Sequence, residues 1–73
     1  MIMINRQALT ILCKRIGIKS QAELARRIQA SPQGLNKIIK GHHAATLTTI
    51  GKICDVLDCQ PGAFLEYKRD DDA

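Results

Sequence analysis

The sequence predicts one small all-α domain built from five short helices. The chain has 73 residues, which is enough for a single domain and too few for a large enclosed active site. Hydrophobic residues make up 45% of it and aromatic residues 3%, so we expect a thin aliphatic core. Apolar residues recur at helical spacing, and the long alternating runs that indicate strands are missing. We expect the domain over residues 1–67 and a flexible charged tail over residues 68–73.

The first two helices are marked by apolar spacing and by a capping box. The first helix is predicted over about residues 5–16 and ends at Gly17. Its inward side chains follow the i, i+3, i+4, i+7 rule: Leu9, Leu12, Cys13 and Ile16. Ser20 then opens a capping box, in which its hydroxyl accepts the N–H of Glu23 while Glu23 bonds back to the N–H of Ser20. The second helix follows over about residues 21–28, with an inward face of Leu24, Ala25 and Ile28.

The third helix is predicted over about residues 32–40. Ser31 is a typical N-cap, and Pro32 stands at the first helical position, where no N–H is needed. Gly41 is placed to end the helix. Its inward face comprises Leu35, Ile38 and Ile39.

Two further helices complete the prediction. Thr46 caps a fourth helix over about residues 47–57. Its inner face is predicted to hold Leu47, Ile50, Ile53, Cys54 and Leu57. Pro61 starts a last short helix that carries Phe64 and Leu65. Short connections between five helices indicate a compact all-α domain.

The connection between helices two and three is the most informative feature of the chain. Three residues separate Ile28 from Pro32, and they are Gln29, Ala30 and Ser31. So short a connection makes the helices cross steeply, as in a helix-turn-helix, and the small Ala25 permits that close crossing. A generic helical hairpin is the alternative, because a fold signal does not fix a function.

Residues 20–40, SQAELARRIQASPQGLNKIIK, resemble the helix-turn-helix of the Cro/CI (lambda-repressor-like, XRE) family. The stretch TLTTIGKICDVLDCQPGAFL, residues 46–65, is similar to the family's fourth and fifth helices, in its branch of small single-domain regulators. The resemblance covers about residues 5–67. It implies a compact five-helix lambda-repressor-like fold that places the third helix in the DNA major groove, and a sequence-specific transcriptional regulator.

Two residues depart from the family's usual sequence. Gln29 stands in the turn where the family has glycine, and a non-glycine residue at positive φ costs about 1 kcal/mol. Either this turn has another shape, or the fold absorbs the strain. Gly34 weakens the third helix by up to about 1 kcal/mol relative to alanine. It either lets the helix approach DNA closely or is a neutral surface position.

The distribution of charge favours a polyanionic partner. The chain carries 11 basic and 7 acidic residues, a net charge of +4. Residues 1–40 hold eight of the basic residues and one acid, Glu23, which gives them a net charge of +7; residues 41–73 sum to −3. Double-stranded DNA is the partner that a basic half suggests first. Ordinary solvated helix faces are the alternative interpretation.

Four residues on the outer face of the third helix are the candidates for reading bases. Gln33 and Asn36 are amides that can form paired hydrogen bonds with adenine, and Gln33 matches a base-reading position of the family. Lys37 can reach guanine or a phosphate. Pro32 can offer only an apolar contact, such as one to a thymine methyl group.

Six residues are the candidates for binding the DNA backbone. Gln21 matches the family position that contacts phosphate at the start of helix two. The others follow from charge or from their place after helix three: Lys19, Arg26, Lys40, His42 and His43. Plain solvent exposure is the alternative for the two histidines, which carry little charge at pH 7, and for one of Arg26 and Arg27. Lys14 and Arg15 are interpreted as a solvated helix face.

The sequence gives no support for catalysis, a cofactor or a metal. Cys13, Cys54 and Cys59 have no paired spacing and are expected to pack as small apolar groups in a reducing, cytoplasmic setting. Adjacent His42 and His43 do not match a zinc spacing, and no apolar run approaches the ~20 residues of a membrane span.

The expected partners are double-stranded DNA and a second copy of the chain. Dimer contacts are expected near Phe64 and Tyr67 or in the tail. No small-molecule effector is evident. The alternative function is an antitoxin-like or adaptor module that uses the same fold to hold a protein, which would show an apolar patch on helix three.

Overall fold

The computed structural model describes residues 2–69 and consists of four α-helices and one small sheet. The four predicted long helices are confirmed. In chain order the elements are β1 (Ile2–Ile4), α1 (Arg6–Arg15), α2 (Gln21–Arg27), α3 (Pro32–Ile39), α4 (Leu47–Leu57), a 3-10 turn (Pro61–Ala63) and β2 (Leu65–Tyr67). No helix within residues 2–69 is long and apolar enough to cross a membrane. Of the predicted tail, residues 70–73 lie outside the described residues.

The predictions of an all-α fold and of a fifth helix are wrong, because the two ends of the described chain form an antiparallel sheet. Ile2 pairs with Tyr67, Met3 with Glu66 and Ile4 with Leu65. The predicted fifth helix is reduced to the single 3-10 turn, and the next residues extend to join the sheet. Strands of three residues are too short to show an alternating pattern, so the sequence carried little sign of them.

All four α-helices begin with a side-chain cap. The capping oxygen accepts the backbone N–H three residues later, at 3.0–3.2 Å. The predicted caps at Ser20, Ser31 and Thr46 are confirmed, and Asn5 provides the fourth. The capping box differs in one detail, since the Glu23 carboxylate accepts the N–H of Lys19 at 3.3 Å rather than that of Ser20. These caps satisfy N–H groups that have no partner inside the helix.

All four α-helices also end in the same left-handed turn. The residues with positive φ within the described chain are the four that follow these helices: Gly17 (81°), Gln29 (60°), Gly41 (84°) and Asp58 (51°). In each case the next N–H reaches back to a carbonyl five residues earlier, at 2.8–3.1 Å. This geometry is a common helix C-terminus, and it favours glycine. Gln29 therefore does adopt positive φ, and the fold absorbs its strain.

The core is aliphatic apart from one ring, as the composition indicates. Its twelve buried residues come from β1, all four helices and the turns: Ile4, Leu9, Cys13, Ile18, Leu24, Ala25, Ile28, Leu35, Ile39, Ile53, Leu57 and Phe64. The prediction that Leu47 points inward is wrong, since it is 87% exposed. Ile16 is also exposed, at 38%. Both lie at a helix end, where few neighbouring residues surround the side chain.

The cysteines pack as the sequence predicts. Cys13 is buried, and both Cys54, in α4, and Cys59, in the turn that follows α4, pack against the core. Burial raises the pKa of the Cys13 and Cys59 thiols, and other nearby thiols add to the effect. Both thiols are therefore held in the neutral form, which is the less reactive one.

Replacing Gln29 with glycine should stabilise the protein. Glycine adopts positive φ without strain, so Gln29→Gly should raise the free energy of unfolding by up to about 1 kcal/mol, or the Tm by about 4–8 °C. Thermal unfolding followed by circular dichroism measures the change. Gln29→Ala keeps the strain and is the matched control. Equal melting temperatures for the two variants would contradict the assigned strain.

Candidate nucleic-acid interface

The corner between α2 and α3 is held by the turn after α2. The N–H of Ala30 donates to the carbonyl of Ala25 at 2.8 Å, and the N–H of Gln29 donates to Arg26 at 3.1 Å. The Ala25 side chain is fully buried, at 0% exposure. Because this side chain is only a methyl group, α2 and the segment that follows it can pack closely here. The part of the hydrophobic core that lies beneath the corner includes Leu24, Ile28 and Leu35. The predicted helix-turn-helix is thus present.

Three of the four predicted base-reading residues lie on the open face of α3. Pro32, Gln33 and Lys37 are exposed, whereas Asn36 is half-buried. Gln33 and Lys37 are one helical turn apart, so they project from the same side of α3. The outer face of α3 therefore offers one amide and one cation to a partner, with a proline at its start.

Gly34 lies beside the cap of α3. The Ser31 hydroxyl accepts the N–H of Gly34 at 3.0 Å, and a Cβ at position 34 would lie 2.9 Å from that same oxygen. Ala8, Glu23 and Thr49 hold the equivalent position in the other three caps, so a side chain here requires a small shift of the Ser31 hydroxyl and is compatible with capping.

Gln21 and Asn36 bind each other across the corner. The Gln21 Nε2 donates to the Asn36 Oδ1 at 3.2 Å, which ties the first residue of α2 to the middle of α3. From the sequence alone, Gln21 is predicted to contact phosphate and Asn36 to contact a base, with no link between them. Their spacing of 15 residues, across a turn, has no local signature that would have revealed the bond. Each amide keeps its other group, the Gln21 Oε1 and the Asn36 Nδ2, for a further partner.

Lys19, Arg26 and Lys40 are exposed cations without an acidic partner. No carboxylate of residues 2–69 lies within ion-pair distance of their side chains. Arg27, by contrast, is paired with Glu23 at 3.3 Å. The sequence alone could not distinguish the two neighbouring arginines. Because Arg27 is paired with Glu23, Arg26 is the one of the two that is available to an external anion.

His42 and His43 are exposed but lie apart from the other candidates. They border a smaller cleft beside β1, of about 240 Å³, together with Ile38 and Gly41. Their main-chain N–H groups both donate to the carbonyl of Lys37, at 2.9 and 3.3 Å, which fixes the loop after α3. The structure gives the imidazole rings no partner within the described residues.

All of the remaining candidates except Arg26 line a larger cavity of about 390 Å³ between α1, α2 and α3. Four of the predicted site residues line it, namely Lys19, Gln21, Asn36 and Lys40. Arg6 and Lys14 of α1 also line it, although Arg6 is not among the residues predicted from the sequence and Lys14 is predicted there to be solvated surface. Their spacing of eight residues, with Thr10 between them, places them on one helix face, and this signal could have identified them.

Comparison with known proteins agrees with this geometry. The chain matches the family model for the Cro/C1-type HTH DNA-binding domain over residues 4–70. It is 39% identical over 54 residues to an uncharacterized HTH-type transcriptional regulator, YozG, of Bacillus subtilis strain 168. That alignment covers 73% of this chain and 64% of the relative, so the matched part spans a little under two thirds of the relative's length. With almost its whole length inside the family model, the chain belongs to the Cro/C1-type helix-turn-helix DNA-binding family.

Proposed function

We propose that this protein is a transcriptional regulator that binds double-stranded DNA at specific sequences, with α3 in the major groove. The observation that carries the proposal is the outer face of α3, where Gln33 and Lys37 are exposed, together with the cations Lys19, Arg26 and Lys40, which have no acidic partner within residues 2–69. An amide can distinguish adenine by its pair of hydrogen-bonding groups, and a lysine can contact guanine. Such a face suits DNA recognition. We also propose a cytoplasmic location, because three cysteines without paired spacing are typical of proteins from a reducing compartment.

The proposed contacts divide into two kinds. Phosphate contacts by Lys19, Gln21, Arg26 and Lys40 would provide most of the affinity, and that part would weaken with salt. His42 and His43 are proposed as further backbone contacts from the loop after α3. The base contacts by Gln33, Asn36, Lys37 and Pro32 would provide the choice of sequence. The bond between Gln21 and Asn36 links the two kinds, because it joins a phosphate-binding candidate to a base-reading one.

A symmetric dimer is proposed as the DNA-binding form. A module of this size covers little DNA alone, and two copies with recognition helices about 34 Å apart would read a near-palindrome. Of the two aromatic residues expected near the contact, Phe64 is excluded because it is 0% exposed. Tyr67 is 70% exposed and lies opposite Ile2, itself 62% exposed, on the sheet.

The protein-interaction alternative has less support. A protein-binding α3 would expose large apolar side chains. Among residues 2–69 the large hydrophobic residues that are exposed all lie in other parts of the fold: Ile2, Ile11, Ile16, Leu47 and Tyr67.

Selection of random duplex DNA on the purified protein, at two salt concentrations, tests the function. We expect an enriched near-palindrome whose binding weakens as salt rises. Binding without an enriched sequence would contradict specific recognition, and absence of binding at both salt concentrations would favour the protein-interaction alternative. The mass of the complex, measured by light scattering after gel filtration, tests the dimer; one chain per duplex would contradict it.

Gln33→Ala should reduce sequence discrimination. Loss of the amide should narrow the gap between the preferred site and a mismatched one by about 1–3 kcal/mol, while binding to unrelated DNA stays near its original strength. Fluorescence anisotropy with the selected site and a scrambled duplex measures both affinities. An unchanged ratio of the two would remove Gln33 from the base-reading set.

Lys40→Ala should weaken binding to all sequences alike. Losing one phosphate contact should reduce the slope of log affinity against log salt by about 1. Arg27→Ala is the matched control, because its guanidinium is already paired with Glu23 and should contribute little. If Arg27→Ala flattened the slope as much as Lys40→Ala did, the assignment of the DNA-facing cations would be wrong.

Gln21 and Asn36 should act as one unit on DNA. Because their side chains are bonded, the double variant Gln21→Ala/Asn36→Ala should lose less affinity than the two single variants added together, with a coupling of at least about 0.5 kcal/mol. A second cycle, with Gln21 and the unbonded Gln33, is the control and should be additive. Equal coupling in both cycles would show that the hydrogen bond has no role in binding.

A further inference from the structure

The cavity between α1, α2 and α3 has an apolar floor. Its inner wall is formed by core side chains that are themselves nearly fully buried, among them Leu9, Ile18, Leu24 and Ile39, and the hydrocarbon stems of Arg6 and Lys14 add apolar surface at its sides. Its volume of about 390 Å³ falls within the range of small-molecule sites. A ligand with a hydrocarbon or aromatic body would displace water from this floor, and such displacement is favourable in proportion to the apolar area covered.

The rim of the cavity is strongly cationic. Arg6, Lys14, Lys19 and Lys40 all line it, and no aspartate or glutamate of the described chain does. None of the four has a carboxylate of residues 2–69 within ion-pair distance. Four positive charges that no described carboxylate pairs with surround one opening, so they attract an anion, and the low-dielectric wall beneath them strengthens that attraction.

Two polar side chains complete the wall. Gln21 and Asn36 line the cavity and are bonded to each other, so they are held in place before any ligand enters. The Gln21 Oε1 and the Asn36 Nδ2 remain for a ligand. A site with an apolar body, few fixed polar groups and one sign of charge at its mouth selects by chemistry as well as by size.

We propose that this cavity binds an amphipathic organic anion, with an apolar body against the floor and a carboxylate, sulfonate or phosphate head at the rim. A neutral apolar molecule would leave the four charges unused, and inorganic phosphate would leave the floor unused. The site requires no DNA, so the inference goes beyond the proposed function.

Three residues would contact both the anion and, in the proposed function, a DNA phosphate. Lys19, Gln21 and Lys40 line the cavity and belong to the proposed phosphate-binding set. A bound anion would therefore compete with a DNA phosphate for them. This competition rests on the proposed function, whereas the site itself does not.

A fluorescence titration of the whole protein tests the site. The probe is 8-anilinonaphthalene-1-sulfonate, and its control is N-phenyl-1-naphthylamine, which has the same rings without the charge. We expect saturable binding of one sulfonate per chain, weaker binding of the neutral compound, and no comparable binding of inorganic phosphate in competition. The proposal would be overturned if the sulfonate bound no more tightly than the neutral compound. It would also be overturned if inorganic phosphate displaced the sulfonate equally well.

Two charge reversals on α1 locate the bound probe. Lys14→Glu places an acid at the rim and should weaken sulfonate binding at least about tenfold, since it replaces an attraction by a repulsion. Arg15→Glu makes the same change of charge on a neighbouring exposed residue that does not line the cavity, and should weaken binding less than about twofold. Both residues are exposed, and thermal unfolding checks that both variants fold. An equal effect of the two variants would overturn the site.

The competition has its own measurement. The titration is repeated with the protein saturated by its selected duplex, and the apparent dissociation constant of the sulfonate should rise. An unchanged constant would overturn the overlap alone. If the protein binds no duplex at all, the proposed function fails while the titrations without DNA still decide the site.

Discussion

The contact between Ala25 and the turn that follows α2 determines the shape of the functional face. Ala25 is fully buried, and its carbonyl holds the N–H of Ala30 at 2.8 Å. A larger side chain at position 25 would push α3 away from α2, because a packed interior has no spare volume. The bond from Gln21 to Asn36, the cavity beside it and the direction of the outer face of α3 all depend on how these two helices meet. The small side chain at position 25 thus determines where the polar residues of α2 and α3 lie relative to one another.

The helices themselves are short, at 7 to 11 residues, and isolated helices of that length are marginal in water. Each is therefore defined by its ends as much as by its middle. A side-chain oxygen closes every N-terminus, and a left-handed residue closes every C-terminus. Two of those left-handed residues are glycines, whereas Gln29 and Asp58 accept strain in the same place. Burial of the apolar side chains beneath the turns compensates for it.

Much of this fold follows from local signals, and the differences between prediction and structure have identifiable causes. The helix starts at Ser20, Ser31 and Thr46 can be predicted from the sequence, because each capping side chain bonds to a residue only three positions away. The pairing of Ile2 with Tyr67 leaves no such local signal, and Leu47 has the right spacing but lies at a helix end where the core does not reach. The same limit applies to the site. Exposed amides and cations could be identified from the sequence, whereas the bond between Gln21 and Asn36 and the grouping of Arg6 with Lys40 arise only once three helices have packed.

The sheet makes the order of synthesis matter. The N–H of Asn5 donates to the carbonyl of Phe64 at 2.7 Å, and the Asn5 side chain that caps α1 also donates to Glu66 at 3.4 Å. On a ribosome these partners emerge about 60 positions after Ile4, and at typical elongation rates the delay is roughly 3 to 12 seconds. During that interval Ile4 and the start of α1 lack the strand that covers them in the folded protein. Folding of the nascent chain can therefore be completed only when residue 67 has left the exit tunnel.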